Sequence, residues 1–199
     1  MEEVTAFILA GGKSSRMGRD KAFLELGGKA LLAHMLQLAA AVASSVHIVG
    51  PAAKFAGWGA VVEDVIPGEG PLSGIHAALS TTSSRLNVIL AVDLPFVQPH
   101  FLAYLIRRAA DTEAIVTVPR TAARLHALCA VYRRAFRERA EEALRAGRNQ
   151  IAPLLQLADT LILDEAELAA LSFPSTMFDN LNTPQEYTRA RAAWGKPNA

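Results

Sequence analysis

Short apolar runs alternate along this chain with longer stretches of helical periodicity. The predicted strands cover residues 4–9, 46–49, 60–62, 87–92, 114–118 and 161–163. The predicted helices cover residues 30–43, 74–79, 99–110, 133–146 and 184–194. This alternation predicts an α/β fold, a three-layer sandwich with a mostly parallel, mixed sheet.

Two strand-like runs have properties that refine this prediction. Residues 87–92 are almost entirely apolar, which is typical of a central parallel strand covered on both faces. Residues 128–132 follow 114–118 too closely for a helical crossover, so we expect an antiparallel strand there. The chain shows neither an internal repeat nor a low-complexity linker, which indicates a single domain over residues 1–199.

The composition is that of a globular protein, with 51% hydrophobic and 20% charged residues. The net charge of +1 gives no overall attraction to nucleic acid. Cys129 is the one cysteine, which fits a reducing compartment. Acidic Glu2 and Glu3 do not match a secretory signal, and no apolar run is long enough to span a bilayer. We therefore expect a cytoplasmic protein without a nucleic-acid or membrane partner.

A glycine-rich, cationic loop follows the first predicted strand, since residues 9–21 read Leu-Ala-Gly-Gly-Lys-Ser-Ser-Arg-Met-Gly-Arg-Asp-Lys. Glycine lets the backbone approach a ligand and turn its amides toward it, while Arg16 and Lys21 add positive charge. The loop therefore predicts a phosphate site. The P-loop pattern does not fit, because it needs glycine where Phe7 stands. The dinucleotide pattern fails as well, because it needs glycines where Lys13 and Arg16 stand.

Acidic residues follow two further predicted strands. In open parallel sheets, ligands bind beyond the carboxyl ends of the strands, which makes Asp93 a candidate magnesium ligand. The alternative is that Asp93 caps the helix beginning near Pro99. Asp64 also follows a strand, and taken alone it is typical of a solvated strand end. Its carboxylate can accept hydrogen bonds from a ribose or from guanine N1–H and N2–H.

Two later motifs lead into predicted helices. Residues 70–74 read Gly-Pro-Leu-Ser-Gly, a turn that leads to a helix N-terminus, where free amides favour an anion or a polar base edge. Residues 180–184 read Asn-Leu-Asn-Thr-Pro. Thr183 or Asn182 can cap the helix that Pro184 opens.

Four features in chain order, namely the glycine-rich loop, Asp64, residues 70–74 and Asp93, resemble the motifs of nucleotidyltransferases, and among them those of the molybdenum cofactor guanylyltransferases. The resemblance extends from Val4 to about Tyr187. It implies a Rossmann-like nucleotidyltransferase fold of the glycosyltransferase-A type. The implied enzyme transfers GMP from GTP to the terminal phosphate of molybdenum-molybdopterin, releases pyrophosphate and uses Mg²⁺ as its cofactor. Because the nucleophile is a phosphate that is already ionised, no general base is needed.

The resemblance also implies roles for individual residues. Arg16, Lys21 and Asp93 are the implied catalytic residues, with Asp93 holding the metal ion and the Gly11 and Gly12 amides holding the triphosphate. Asn180 and Asn182 are implied on the substrate side, and His126 is a candidate on the acceptor side. The implied nucleotide-binding residues are Leu9, Ala10, Gly11, Gly12, Lys21, Asp64, Gly70 and Asp93.

One departure and several alternatives accompany this interpretation. Gly50 stands where members of the resembled family often have an asparagine that contacts the nucleotide. A cytidylyltransferase acting on the same pterin would share Lys21 and Asp93, although that branch tends to have Ala-Ala-Gly where this chain has Ala-Gly-Gly. Sugar-phosphate nucleotidyltransferases fit less well, since they usually carry Gly-Thr-Arg in the loop. A non-catalytic carrier that delivers the cofactor is a further alternative. Molybdoenzymes or cofactor-insertion proteins are the implied macromolecular partners, and we expect a monomer.

Overall fold

The computed structural model describes residues 3–11, 20–64, 66 and 70–194. Its strands are β1 (Val4–Leu9), β2 (Glu25–Leu26), β3 (Lys29–Ala30), β4 (Ser45–Val49), β5 (Ala60–Val62), β6 (Leu86–Ala91), β7 (Val116–Thr121), β8 (Arg124–Leu125), β9 (Cys129–Tyr132) and β10 (Thr160–Leu163). Its α-helices are α1 (Leu31–Ala40), α2 (Ala52–Phe55), α3 (Pro71–Thr81), α4 (Pro99–Ala110), α5 (Phe136–Arg145), α6 (Ile151–Leu157), α7 (Glu165–Ala170) and α8 (Pro184–Ala193). Short 3-10 helices cover Lys21–Phe23 and Ser175–Phe178.

In this described part of the chain the main sheet has eight strands, in the order β10-β7-β9-β6-β1-β4-β5, with β8 paired to β7. β1 pairs in parallel with β4 and with β6, and β4 pairs in parallel with β5. β9 lies between β6 and β7 and is antiparallel to both. The antiparallel strand expected from the short spacing before residue 128 is therefore confirmed.

Both faces of the sheet are covered, which explains why the central strands are apolar throughout. Every residue of β1 and β6 is buried. Successive side chains of a strand point to opposite faces, so Ile8 packs in the core that contains residues of α1 and α4. Phe7 packs in the core that contains residues of α3 and α5. The predicted three-layer α/β sandwich with a mostly parallel, mixed sheet is confirmed.

A small hairpin that the sequence analysis did not predict joins the first loop to α1. Gly27 and Gly28 form its two-residue turn, with φ angles of 60° and 77° that match the left-handed geometry a tight hairpin needs. Leu26 and Leu31 from this region pack with Leu181 near the start of α8. The hairpin therefore holds the C-terminal segment beside the loop that contains Lys21.

Helices α2, α6 and α7 were also not predicted, and the predicted helix over residues 74–79 begins earlier, at Pro71. Proline suits the first helical turn because its missing N–H needs no partner there. None of the described helices combines the length and apolar character that crossing a bilayer requires. The single-domain organisation stays a prediction.

Candidate active site

The carboxyl ends of β1, β4, β5 and β6 lie at the same edge of the sheet because these strands are parallel neighbours. Backbone hydrogen bonds continue past the strand ends and tie the following loops together. The Val92 amide donates to the Leu9 carbonyl at 3.1 Å, and the Gly50 amide donates to the Val62 carbonyl at 3.0 Å. Residues that are distant in sequence are thereby brought to one edge.

A cleft of about 860 Å³ opens at this edge and contains every predicted site residue that the structure describes except His126. Gly12 and Arg16 lie outside the described residues. The cleft therefore joins the separate parts of the sequence from which the site was predicted. The predicted residues that line it are Leu9, Ala10, Gly11, Lys21, Asp64, Gly70, Asp93, Asn180 and Asn182.

Lys21 makes the central polar contacts of this cleft. Its Nζ donates to Asp93 Oδ2 at 3.0 Å and to Asn182 Oδ1 at 2.5 Å. Asp20 Oδ1 accepts from the Ala22 amide at 3.1 Å and caps the 3-10 turn that begins at Lys21. The side chains of Lys21 and Asp93 are 19% and 13% exposed. Because both are mostly removed from water, their attraction is screened less than that of a surface pair.

Asp93 follows β6 and is fixed by the C-terminal segment. The Leu181 amide donates to the Asp93 carbonyl at 3.0 Å, and Asn180 Nδ2 donates to Asp93 Oδ1 at 3.4 Å. Gln98 is the N-cap residue of α4, and its side chain makes no capping hydrogen bond. The alternative prediction that Asp93 caps this helix is therefore wrong, and its carboxylate lines the cleft.

Asn182 and Thr183 divide the two roles that the sequence analysis left open. Thr183 caps α8: its Oγ1 accepts from the Glu186 amide at 3.2 Å, and Glu186 Oε2 accepts from the Thr183 amide at 2.9 Å. The Asn182 amide also donates to Glu186 Oε2, at 2.7 Å, and this backbone hydrogen bond is the main cause that lowers the pKa of Glu186. The Asn182 side chain, which the cap does not use, contacts Lys21.

Asp64 and the start of α3 form the end of the cleft near β4 and β5. The Ser73 hydroxyl lies 2.9 Å from the Gly70 carbonyl and 3.3 Å from Asp64 Oδ2. Burial raises the pKa of Asp64, while the Ser73 hydrogen bond and the charge at His76 act in the opposite direction. This end therefore offers an exposed carboxylate next to the helix N-terminus predicted to favour a polar ligand.

Gly11 and Gly50 bring two loops into direct backbone contact. The Gly11 amide donates to the Val49 carbonyl at 3.0 Å, so it is already bonded, and the predicted contact from this amide to a triphosphate is not made from this arrangement. Gly50 has a φ of 155°, and a Cβ there would lie 2.7 Å from Phe55 Cε2 and 3.1 Å from the Gly11 nitrogen. Phe55 thus fills the space that a side chain at position 50 would need, which accounts for glycine at this departure from the resembled pattern.

Known proteins resemble this chain over most of its length. Residues 6–161 match the model of a family described as the MobA-like NTP transferase domain. The chain belongs to this family. A relative within it, a probable molybdenum cofactor guanylyltransferase from Pelotomaculum thermopropionicum, is 36% identical over 96% of this chain and 93% of its own length. A molybdenum cofactor guanylyltransferase from Desulfosudis oleivorans is 33% identical over 97% of this chain and 96% of its own length.

A solved structure of the MobA-like family shares the architecture. It is the molybdopterin-guanine dinucleotide biosynthesis protein A from Archaeoglobus fulgidus, which is 25% identical. The superposition covers 94% of this chain and 97% of that chain, with a TM-score of 0.83.

Within this MobA-like fold, His126 does not lie where the acceptor-side prediction placed it. Its ring stacks on Phe178 at a centroid distance of 4.0 Å, and Nε2 lies 2.6 Å from Thr121 Oγ1. Burial, and secondarily the charge of Arg124, lowers the pKa of His126 to about 4. His126 is therefore a neutral core residue. Arg124 instead lines the cleft. The sequence analysis missed Arg124 because a single cation beside a short turn does not by itself indicate a binding site.

Proposed function

We propose that this protein transfers GMP from GTP to the terminal phosphate of molybdenum-molybdopterin and releases pyrophosphate. The names of its relatives support this activity. The observation that carries the proposal is the contact of Lys21 with both Asp93 and Asn182 inside one cleft. This contact places a cation, a carboxylate and an amide at the strand ends, where ligands of open parallel sheets bind.

The chemistry requires little from the protein beyond positioning and charge neutralisation. An oxygen of the acceptor phosphate attacks the α-phosphorus of GTP, and a new phosphoanhydride bond forms. The bond from the α-phosphorus to the bridging oxygen breaks, and its electron pair leaves on pyrophosphate. Because the attacking phosphate is ionised at neutral pH, no proton has to be removed in this step. Catalysis then comes from the alignment of the two phosphates and from fixed positive charge.

Lys21 is the proposed source of that charge among the described residues of the site. Its ammonium group, held by Asp93 and Asn182, would offset the charge that develops on the leaving pyrophosphate. We keep Arg16 and Gly12, which lie outside the described residues, as a second cation and a triphosphate-binding amide. Leu9, Ala10 and Gly11 would form the floor beneath the phosphates.

Mg²⁺ is the proposed cofactor, and Asp93 is its proposed ligand. Mg²⁺ is often bound through one or two carboxylates together with substrate phosphates and water. The described residues hold no cluster of three or more acidic, histidine or cysteine side chains that could cage a metal ion. Among the residues that the structure describes, the contact of Asp93 Oδ1 is a long one, 3.4 Å from Asn180 Nδ2. This donor set fits an ion that arrives with the nucleotide, where it would polarise the α-phosphate.

Asp64, Gly70 and the turn at Gly50 form the proposed nucleoside end of the cleft. The Asp64 carboxylate can accept hydrogen bonds from guanine N1–H and N2–H or from the ribose hydroxyls. The Gly50 backbone takes the place of the asparagine side chain that related sequences often have there, so one nucleotide contact is absent or is made by the main chain.

The test is to supply GTP, Mg²⁺ and metallated pterin to the purified protein and to measure pyrophosphate release and the dinucleotide product. With GTP we expect one pyrophosphate to be released for each dinucleotide formed, and with CTP we expect little release of pyrophosphate. Preferential use of CTP would convert the assignment to the cytidylyltransferase alternative. Binding of GTP without pyrophosphate release in the presence of the acceptor would favour the carrier alternative. The cytoplasmic location, the monomeric state and delivery to molybdoenzymes or cofactor-insertion proteins remain proposals that accompany this activity.

A further inference from the structure

The two ends of the cleft differ in the side chains that line them. Strand order separates the ends, because β4 and β5 lie on one side of β1 and β6, while β9 lies on the other. The first end contains Asp64 and Gly70, and the second contains Arg124, Leu128 and Asn180. The Lys21–Asp93 pair lies between them, at the ends of the two central strands. If the nucleoside occupies the first end, the second end is where the acceptor must enter.

Arg124 is the distinctive charge at this second end. Of the described residues that line the cleft, only Lys21 and Arg124 are lysines or arginines. Lys21 is engaged with Asp93. Arg124 is exposed, and it forms no ion pair with any residue in the described ranges. Arg124 therefore lines the cleft without an ion-pair partner among the carboxylates that the structure describes.

The hairpin that positions Arg124 is held in an unusual conformation. β7 and β8 pair through Thr121 and Arg124, and the two residues between them, Ala122 and Ala123, have φ angles of 45° and 64°. Residues with a side chain rarely adopt this left-handed region, and such strain persists only where the surroundings fix it. The Ala122 amide donates to Glu165 Oε2 at 2.9 Å, which ties the turn to α7. The backbone of Arg124 is thus fixed at the cleft wall.

We propose that Arg124 binds the terminal phosphate of the acceptor and holds it for attack on the nucleotide. This inference rests on the proposed GMP transfer. A phosphate monoester carries a charge of about −1.5 to −2 at neutral pH, and it must approach a triphosphate of the same sign. A guanidinium group offers two parallel N–H donors to one phosphate, which both neutralises and orients it. Arg124 is therefore an acceptor-binding residue, separate from the nucleotide-binding end.

The experiment compares Arg124→Ala and Arg124→Lys with Arg191→Ala as the matched control. Arg191 is an exposed arginine of α8 that lines a different groove, together with Tyr187 and Trp194. Steady-state pyrophosphate release is measured while metallated pterin is varied at saturating GTP, and then while GTP is varied at saturating pterin. Binding of a fluorescent GTP analogue and thermal unfolding are recorded for each variant.

We expect Arg124→Ala to raise the KM for the pterin about 10-fold or more, since a charge-assisted contact is lost. The KM for GTP and the binding of the analogue should stay within twofold of wild type. Arg124→Lys should raise the pterin KM less than Arg124→Ala does, and Arg191→Ala should keep the wild-type KM for both substrates. An unchanged pterin KM in Arg124→Ala, or a rise confined to the GTP KM, would overturn the assignment. A pterin KM raised by Arg191→Ala instead would move the acceptor to the other groove. If the wild-type protein forms no dinucleotide, the proposed function itself fails, which this design separates from failure of the Arg124 role.

Discussion

Lys21→Ala is the most direct test of the central contact. The substitution removes an ammonium group that lies 3.0 Å from Asp93 Oδ2 and 2.5 Å from Asn182 Oδ1. It leaves a carboxylate that is only 13% exposed without its cation, and an amide oxygen without its donor. The local fold does not depend on this ammonium group, because Asp20 caps the 3-10 turn that begins at Lys21 and the Leu181 amide donates to the Asp93 carbonyl. The variant should therefore fold and lose activity.

The magnitude follows from the role proposed for Lys21. Removing a preorganised donor to a developing negative charge typically costs about 10²- to 10³-fold in kcat. At about 1.4 kcal/mol per tenfold, this corresponds to roughly 3 to 4 kcal/mol of transition-state stabilisation. An attraction between unit charges 4 Å apart is worth about 4 kcal/mol near a protein surface, so one partly buried lysine can supply this amount. We expect kcat to fall at least 100-fold.

The assay is pyrophosphate release at saturating GTP, Mg²⁺ and metallated pterin, with circular dichroism as the measure of folding. Lys29→Ala is the matched control, since Lys29 is exposed and its Nζ donates to Gln37 at 2.9 Å, away from the cleft. Because Lys21 contacts Asn182, Asn182→Ala should cost less activity in the Lys21→Ala background than in wild type. Wild-type turnover in a folded Lys21→Ala variant would show that Lys21 has no part in the mechanism. A loss of activity that higher GTP concentrations fully reverse would also contradict the proposed role in the transition state.

Four further outcomes are expected from the same geometry. Asp93→Asn, which keeps the shape of the side chain, should abolish Mg²⁺-dependent turnover with an unchanged melting temperature, and full activity with normal Mg²⁺ dependence would refute the ligand assignment. Gly50→Ala should lower the unfolding free energy by about 1 to 3 kcal/mol in urea titrations, because its Cβ would meet Phe55 at 2.7 Å. Gly57→Ala is the control, because Gly57 has a φ of 83° and no atom within 4 Å of the added Cβ. The stability that this variant loses comes from the backbone angle alone. Equal losses in the two variants would exclude the contact with Phe55 as a cause. Thr183→Ala should cost about 1 kcal/mol of stability through loss of the helix cap, and an unchanged urea midpoint would contradict that role. Burial lowers the pKa of His126 from 6.5 to about 4. Between these two pH values the unfolded chain binds a proton at His126 that the folded protein does not bind. The unfolding free energy should therefore fall by about 3 kcal/mol as the pH drops from 6.5 to about 4. His126→Phe should lack that part of the pH dependence, and identical pH profiles for both proteins would refute it.

Much of the fold could be predicted because the sheet is buried on both faces. β1 and β6 are apolar at nearly every position, which is typical of a parallel strand covered on both faces. The antiparallel β9 could be predicted from its spacing alone, since too few residues separate it from β7 for a helical crossover. The β2–β3 hairpin was missed although Gly27 and Gly28 are a recognised signal for a two-residue turn. Its strands are too short to show an alternating pattern.

The site could be predicted as a set of residues but not as a set of bonds. Strand-end placement and the ordered motifs were enough to find Lys21 and Asp93, because the carboxyl ends of parallel strands converge. The sequence could not show that the Gly11 amide is used by Val49, since that bond depends on how closely two loops approach. The sequence also could not show which of His126 and Arg124 contributes its side chain to the cleft. Two residues apart in the chain, one side chain is in the core and the other lines the cleft.

The bond between Lys21 and Asn182 spans 161 positions of the chain. During synthesis, Lys21 and the strands that precede Asp64 and Asp93 leave the ribosome well before Asn182 does. A nascent chain that has already paired β1 with β4 and β6 still lacks the amide that completes the lysine's coordination, and it also lacks the Leu181 bond to Asp93. We therefore expect a nascent chain to begin turnover only after the segment that contains Asn182 has docked, so shorter translation products should not consume nucleotide.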